Sequence, residues 1–244
     1  VKLGRSMAPN FLPTILFNPY GDSFTVSPLV LHANTGWGVD DTHNYKTTAA
    51  DTGWSNQITY STPSFGGLSA NLHYQFGEQS GDNKNKKNVG ANVLYFQGPL
   101  ALTAFIERAQ IRNPNTSEQP TKQNWMLGGS YDFSVAKLYA TYGQSKVKDS
   151  TVPKYDAKTT SLGVDVPVTK AGTFKAAAAY TKAETANPAD IKRTTYTLGY
   201  DHFLSKRTDV YTVVMYDKIK NMPSPFTASN GSGTSVAVGI RHRF

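Results

Sequence analysis

An all-β chain, folded as a transmembrane antiparallel up-and-down β-barrel, is what three features of this sequence predict. Strand-length runs alternate with period two, the connectors between them are by turns very short and long, and aromatic residues gather at the run ends. The last run is the cleanest. From Ser235 to Phe244, the residues Val236, Val238, Ile240, His242 and Phe244 share one face, and Ala237, Gly239, Arg241 and Arg243 share the other, because successive side chains of a strand point to opposite faces. One face suits apolar surroundings; the other tolerates paired arginines. A water-filled barrel in a membrane has both surfaces, but so does a soluble sandwich whose polar face meets bulk water. The whole chain has to decide.

Composition narrows the classes. Of 244 residues, 39% are hydrophobic and 17% are charged, with a mean hydropathy of -0.43. No apolar run approaches the roughly 18 to 20 residues of a spanning helix, so a helical membrane protein is excluded. The 14 Tyr, 12 Phe and 20 Gly favour pleated surfaces and interfacial belts. Cysteine is absent, which removes disulfide frameworks, thiol catalysis and zinc-thiolate sites together and suits a chain that crosses an oxidising periplasm. Net charge is +8. The Lys and Arg residues are scattered among strand ends and loops, not gathered in a basic run with interleaved aromatics, so nucleic-acid binding is not expected.

Residues 1–244 read as a single barrel domain in three parts. Val1 to Arg5 reads as the second half of a strand, with no initiating Met before it. Ser6 to Gly53 reads as neither strand nor helix. It carries Pro9, Pro13, Pro19 and Pro28 and far exceeds the roughly 12 to 15 residues beyond which loops are usually functional or disordered. Its apolar residues, among them Phe11, Leu12, Ile15, Phe17, Phe24, Leu29 and Val30, argue for packing against something. The available surface is the barrel interior, so a loop folded inward to narrow the lumen is expected; an extracellular lid or a partner-contact latch is the alternative.

Residues 54–244 form the strand meander, in runs of about 9 to 11 residues, the length of a tilted spanning strand. Trp54 to Pro63 sets Trp54, Ile58 and Tyr60 against Ser55, Gln57, Thr59 and Ser61. Leu68 to Phe76 sets Leu68, Ala70, Leu72, Tyr74 and Phe76 against Ser69, Asn71, His73 and Gln75. Gln123 to Phe133, Thr159 to Val168 and Arg193 to Phe203 repeat the parity, and Asn88 to Gln97, Leu100 to Arg108, Ala136 to Lys146 and Gly172 to Ala183 show it less cleanly. Thr208 to Lys218 is partly apolar on both faces, so its parity stays open. Short connectors, such as Gly98-Pro99 and Ser134-Val135, alternate strictly with long ones, such as Gly77 to Lys87 and Ile219 to Thr234. Tyr60, Phe65, Tyr74, Phe76, Phe96, Tyr131, Phe133, Tyr200 and Phe203 lie at run ends, where girdles at two bilayer interfaces require them.

Five motifs occur in order: Val1-Lys2-Leu3-Gly4-Arg5, Asn18-Pro19-Tyr20-Gly21-Asp22-Ser23, Ile58-Thr59-Tyr60-Ser61-Thr62-Pro63-Ser64-Phe65-Gly66-Gly67, Thr197-Leu198-Gly199-Tyr200 with Leu204-Ser205-Lys206-Arg207-Thr208 after it, and Gly239-Ile240-Arg241-His242-Arg243-Phe244. Together they resemble the general outer-membrane porins of β-proteobacteria, over nearly the whole chain. The resemblance implies a sixteen-stranded barrel assembled as a homotrimer, of which this sequence holds the last ~12 strands, with about four preceding Val1. An independent closed barrel of twelve strands is the rival; Val1 to Arg5 is too short to span, and an open edge is not tolerated in lipid.

It also implies a water-filled diffusion channel in the Gram-negative outer membrane for small ions and hydrophilic solutes, anion-preferring and without a cofactor. A pore needs no nucleophile, only a lumen and a charged constriction. By parity Lys137, Lys175, Arg193, Arg241 and Arg243 point inward, as do Glu107, Asp132, Asp165 and Asp201. The resemblance makes Arg5 the basic strand end at the constriction, Asp22, Asp40, Asp41 and Asp51 the acidic groups of the loop, with Lys46 opposing them, and Phe244 the signal to the barrel-assembly machinery. Where the family tends to place an arginine before the strand after the loop, this chain has Gly53-Trp54. The alternative function is a substrate-specific outer-membrane channel on a smaller barrel. An enzyme is not expected: none of His32, His43, His73, His202 and His242 lies beside a nucleophile motif. Nor is a metal site: Asp82-Asn83-Lys84-Asn85 lacks the acidic repeat and closing Glu of a calcium loop.

Overall fold

Alternating apolar and polar residues between short polar turns become twelve strands, each hydrogen-bonded to the next in chain order. They are β1 (Lys2–Met7), β2 (Gly53–Ser61), β3 (Leu68–Gln75), β4 (Asn88–Gln97), β5 (Leu100–Gln110), β6 (Thr121–Asp132), β7 (Lys137–Lys148), β8 (Tyr155–Pro167), β9 (Gly172–Thr185), β10 (Ile191–Phe203), β11 (Thr208–Lys220) and β12 (Gly231–His242). The computed structural model describes residues 1–33, 52–77, 87–110, 121–148, 155–185, 188–222 and 230–244. Every pairing is antiparallel, and the sheet order is the sequence order. From β5 onward the strands run longer than the pattern suggests, up to 14 residues in β9, whereas β2 and β3 have 9 and 8 residues, one fewer each than the runs expected. Most of the surplus lies toward the long connectors, where the alternation is reversed: Tyr155 and Ala157 are buried apolar residues on the inward side, and Lys158 is exposed on the other.

The two faces invert the rule for soluble proteins. One face presents Leu72, Ile106, Leu127, Leu162 and Leu198 half or more exposed, which no aqueous surface would carry as a continuous band. The other buries Gln57, Thr103, Glu107, Thr181, Thr195, Thr197 and Asp209. The parity expected for β3, β6, β8 and β10 holds, and β11, left open by its sequence, turns Asp209, Tyr211, Val213 and Asp217 inward through its register with β10 and β12. The short turns follow from their residues. Gly98 takes φ +56° ahead of Pro99, a dipeptide suited to a two-residue hairpin, and Asp132 Oδ1 accepts a hydrogen bond from the Ser134 backbone N–H at 2.8 Å in the next short turn.

Two expectations need correction. Trp54 does not share a face with Ile58 and Tyr60. Gly4 (φ +99°) and Asn56 (φ +49°) mark a bulge where the β1–β2 register shifts between Gly4 and Ser6, and an extra residue flips the parity beyond it. Trp54 is therefore buried on the inward side, edge-on to His73 at 6.3 Å. Phe96, assigned to a girdle, instead packs at 6.1 Å against Phe17 of the long segment.

That segment is not structureless. After β1 ends at Met7, helix α1 (Phe11–Leu16) and helix α2 (Pro28–Ala33) each make about one and a half turns. The signal for α2 lay in the sequence: Ser27 Oγ accepts from the Val30 N–H at 3.4 Å, the N-cap contact, and Pro28 stands at the first helical position, where a missing N–H costs nothing. Both helices lie on the inward face. Phe17 meets Leu94 and Ala101 with Leu12 beside them, and Leu29 meets Phe105 and Met126. Burying Phe17 and Leu29, 1% and 2% exposed, contributes about 2 to 3 kcal/mol each.

Three glycines seat the segment on the wall: a Cβ at Gly163 would lie 2.5 Å from Pro19 Cδ, one at Gly90 2.6 Å from Pro9 Cγ, and one at Gly199 3.1 Å from the Tyr20 ring. Gly163→Val is predicted to dislodge the Pro19 turn and leave the sheet intact. Proteolysis within residues 6–33 should then quicken by about tenfold with unchanged β circular dichroism; equal protection in the variant would mean the seat at Gly163 is dispensable.

Candidate functional site

The segment from Pro9 to Ala33 is hydrogen-bonded to the inward wall at four strands, β4, β5, β9 and β10. At its start, Asn92 Nδ2 donates to Pro9 O at 2.8 Å and Asn10 Nδ2 to Glu107 Oε1 at 3.3 Å. Its middle is a compact turn built on Asn18, whose Nδ2 donates to Thr14 O (2.8 Å) and Gly21 O (2.9 Å) while its Oδ1 accepts from the Tyr20 N–H (2.8 Å) and Ser27 Oγ (2.9 Å). One side chain thus ties the end of α1 to the cap of α2. The turn is clamped in turn: Tyr20 Oη donates to Lys175 O at 3.0 Å, Lys175 Nζ to Pro19 O at 2.9 Å, and Thr197 Oγ1 to Val26 O at 2.9 Å.

The last anchor is His32. Its ring is held between Thr181 Oγ1 at 2.8 Å and Thr195 Oγ1 at 2.7 Å. Thr195 Oγ1 also donates to Asp217, which takes a two-pronged ion pair from Arg193 at 2.8 and 3.0 Å, and Arg193 Nη1 reaches Leu31 O at 3.4 Å. Burial first, and the Arg193 charge second, push the His32 ring down to about 3, with Asp217 opposing. It is therefore neutral when docked. Burial, helped by Asp165 and Asp201, likewise holds the Tyr20 hydroxyl well above the ordinary phenol range, so it remains a donor.

Toward the short-turn end, the tip of the segment faces a charged stretch of wall across a cavity of about 820 Å³. Asp22, Lys175, Asp201, Arg241 and Arg243 all line it. The wall charges are largely paired with one another. Lys175 Nζ lies 3.5 Å from Asp165 and 3.6 Å from Asp201, and Arg241 meets the fully buried Asp209 through Nε at 3.1 Å and Nη2 at 2.9 Å. Lys137 sits 5.0 Å above the Tyr139 ring, whose hydroxyl donates to Asp165 at 2.8 Å. Arg243, exposed at the cavity rim, has no carboxylate partner among the described residues.

Of the residues that the sequence marked for the pore, Asp22, Lys175, Arg241 and Arg243 are thus brought together, and Lys137 faces inward two strands from Lys175. Arg5 stands apart from them, exposed in the β1 bulge and donating to Ser55 Oγ at 2.7 Å. Lys46 and Asp51, with Asp40 and Asp41, lie outside the described residues. Phe244 is fully exposed and meets the His242 ring edge-on at 4.8 Å. Sequence reasoning missed Asp209, Asp217, Tyr20 and the anchoring role of His32. The two aspartates could have been found by fixing the parity of β11 from the short turn at 205–207, which places both on the side of Arg193 and Arg241.

A polar, ion-paired inner wall, an apolar outer face and an inserted segment describe an aqueous path through a membrane. The model of the Gram-negative porin family matches residues 2–221. The chain belongs to that family. It is 30% identical over 260 residues to outer membrane porin protein 32 of Delftia acidovorans, covering all of this chain and 70% of that protein. It is 25% identical over 268 residues to an outer membrane porin protein of Bordetella pertussis, covering 93% of this chain and 64% of that one. Among solved structures it resembles the anion-selective porin from Comamonas acidovorans (TM-score 0.77, 26% identity, 99% of this chain and 73% of that one). OmpT of Vibrio cholerae, at 15% identity, shares the fold with a TM-score of 0.71 over 98% of this chain and 75% of its own. As a porin, the chain is an outer-membrane β-barrel protein that provides a diffusion path for small solutes.

His32 predicts how this path responds to acid. An undocked segment takes up a proton near the ordinary histidine value, about 6.5, whereas the docked ring titrates at about 3. Docking is therefore at full strength above pH 7 and weakens as pH falls from about 6.5 toward 3. The protection of residues 28–33 against hydrogen exchange, referred to the intrinsic amide rate at each pH, should fall over that window in the wild type, and His32→Gln should remove the pH dependence; a pH-independent protection in the wild type would refute the anchor.

Proposed function

We propose that the docked segment forms the constriction of an anion-preferring diffusion channel, with Asp22 on the segment facing Lys175, Arg241 and Arg243 on the wall. The observation that carries this reading is the clamp at Pro19 and Tyr20, because it holds the segment's acidic tip at the level of the wall's basic residues. Opposed charge across a narrow aqueous gap makes a transverse field, and passing ions are sorted by where the wall leaves charge uncompensated. Lys175 and Arg241 are each tied to carboxylates, and Lys137 stands opposite Asp132 and Asp165 in register, so the net attraction for anions falls first to Arg243. The net charge of +8 over the chain points the same way. The anion-selective porin from Comamonas acidovorans, similar over nearly the whole chain, supports the same sign. Arg5, at the β1 bulge, would act as a basic entrance to this gap; Lys46 and Asp51 are further candidates for its lining.

Conduction makes and breaks no bond, and no catalytic role is assigned. The chain is proposed to work as a homotrimer in outer-membrane lipid, with Phe244 exposed at the end of β12 as the residue that the barrel-assembly machinery reads. General diffusion gives ohmic conductance, whereas saturable flux would favour the substrate-specific alternative.

Reversal potentials in a KCl gradient across planar bilayers test the sign. Anion preference is expected, and Asp209→Asn should raise the anion-to-cation permeability ratio by a factor of about two to five, since it frees the Arg241 charge without changing the shape of the wall. Cation preference in the wild type, or a ratio that falls in the variant, would overturn the reading.

A further inference from the structure

The outward face carries a row of lysines that conduction does not use. Lys158, Lys182, Lys192 and Lys220 stand on four consecutive strands, β8 to β11, and the register sets them side by side: Lys158 opposite Lys182, Lys182 opposite Lys192, and Lys192 opposite Lys220. Strands lie about 4.8 Å apart, so the four side chains spring from a strip of sheet about 15 Å wide. Like charges directly opposite one another destabilise a sheet, and the strand needs no lysine at any of these positions. Such a row persists where something anionic lies against it.

Its level in the membrane says what that is. The row next to it toward the short turns carries Tyr142, Thr160, Tyr180, Thr194 and a fifth lysine, Lys218, with Tyr196 and Tyr216 paired one step further on. Outward tyrosines at strand ends mark the interface between hydrocarbon and headgroups. The row of four lies just beyond the tyrosines, with Lys218 of β11 at the level of Tyr180, on the side of the long connectors, which in outer-membrane barrels is the extracellular side. They therefore stand at headgroup level in the outer leaflet. Carboxylates at this end are few among the described residues: Asp190 holds Lys182 at 2.9 Å, Asp156 holds Lys146 at 3.4 Å, and Glu184 lies opposite Asp156. Lys158, Lys192 and Lys220 are exposed and have no acidic partner among the described residues.

We propose that this row is a binding site for the phosphorylated headgroup of an outer-leaflet lipid. Phosphates spaced along a headgroup would bridge neighbouring lysines, convert their mutual repulsion into attraction and hold the lipid against the tyrosines, whose rings would meet the start of its acyl chains. A second copy of this chain is the other conceivable occupant, but it would present the same lysines or an apolar face, and neither neutralises the row.

Purified full-length protein in a neutral detergent, examined by native mass spectrometry, tests this with lipid A carrying two phosphates against the same lipid dephosphorylated. The wild type is expected to retain the phosphorylated form at least tenfold more tightly, with the preference declining as salt rises. The triple variant Lys158→Gln, Lys192→Gln, Lys220→Gln should lose that preference. Removing the same number of charges at the opposite end, by Lys170→Gln, Lys206→Gln and Arg207→Gln, should leave it intact. Single-channel conductance should be unchanged in both variants, which shows that they fold and separates this site from the pore. Equal retention of the two lipids by the wild type, equal loss in both triple variants, or a changed oligomeric state with unchanged lipid retention would each overturn the proposal.

Discussion

Within a bilayer no water is present to satisfy a backbone N–H or C=O, so each must find its partner in the protein. The rest of this molecule follows from that demand. An antiparallel ladder running unbroken from β1 to β12 meets it strand by strand, and it fixes the parity of every residue, because a slip of one position would exchange the two faces. The ladder needs no apolar interior. Threonine, asparagine and charged residues are free to occupy the inward positions, and leucine, isoleucine and tyrosine to face lipid.

The wall's own apolar cluster, Val147, Tyr155, Ala157, Ala183, Ile191 and Met222, lies at the long-connector end and includes no residue of the inserted segment, which is held in two other ways. Small patches of apolar wall, around Leu94 and Ala101 and around Phe105 and Met126, receive Phe17 and Leu29. Between and beyond them the segment is fixed by directional bonds to its own carbonyls, from Asn92, Lys175, Thr197 and Arg193. The division of labour is physical. Apolar burial supplies most of the free energy but little orientation, whereas bonds to Pro9 O, Pro19 O, Val26 O and Leu31 O set where the tip rests. Asn18 makes this economical, since one buried amide closes the turn that both Tyr20 and Ser27 depend on.

The strands were legible because their pattern has period two and repeats many times, so an uncertain member such as Thr208 to Lys218 could be completed by its neighbours. Trp54 was misplaced because one bulge, at Gly4 and Asn56, inverts parity, and asparagine at positive φ leaves no mark in a hydropathy pattern. The helices of the long segment were missed for another reason. Each has only six residues, too few for a 3.6-residue period to emerge, and only the Ser27-Pro28 start signal betrays α2. Basic pore residues could be named from parity, but their partners could not: Asp209 and Asp217 become relevant only when register sets them beside Arg241 and Arg193, and register is a property of pairs of strands.

That pairing changes what the charged wall means. A count of inward lysines and arginines suggests a strongly basic lumen, yet Lys175, Arg193 and Arg241 each stand within about 3.6 Å of a carboxylate. An ion pair at such a distance acts on a passing ion as a dipole, whose potential falls off faster with distance than that of a single charge. Three of the basic residues therefore tie the wall and the segment together, and Lys137 stands opposite Asp132 and Asp165 in register, so under the proposed reading Arg243 is the charge that a solute meets least compensated. Under the proposed reading, selectivity is a small remainder of large opposed charges. It is accordingly sensitive to the removal of a single buried acid such as Asp209, and insensitive to the net charge of residues on the outer face.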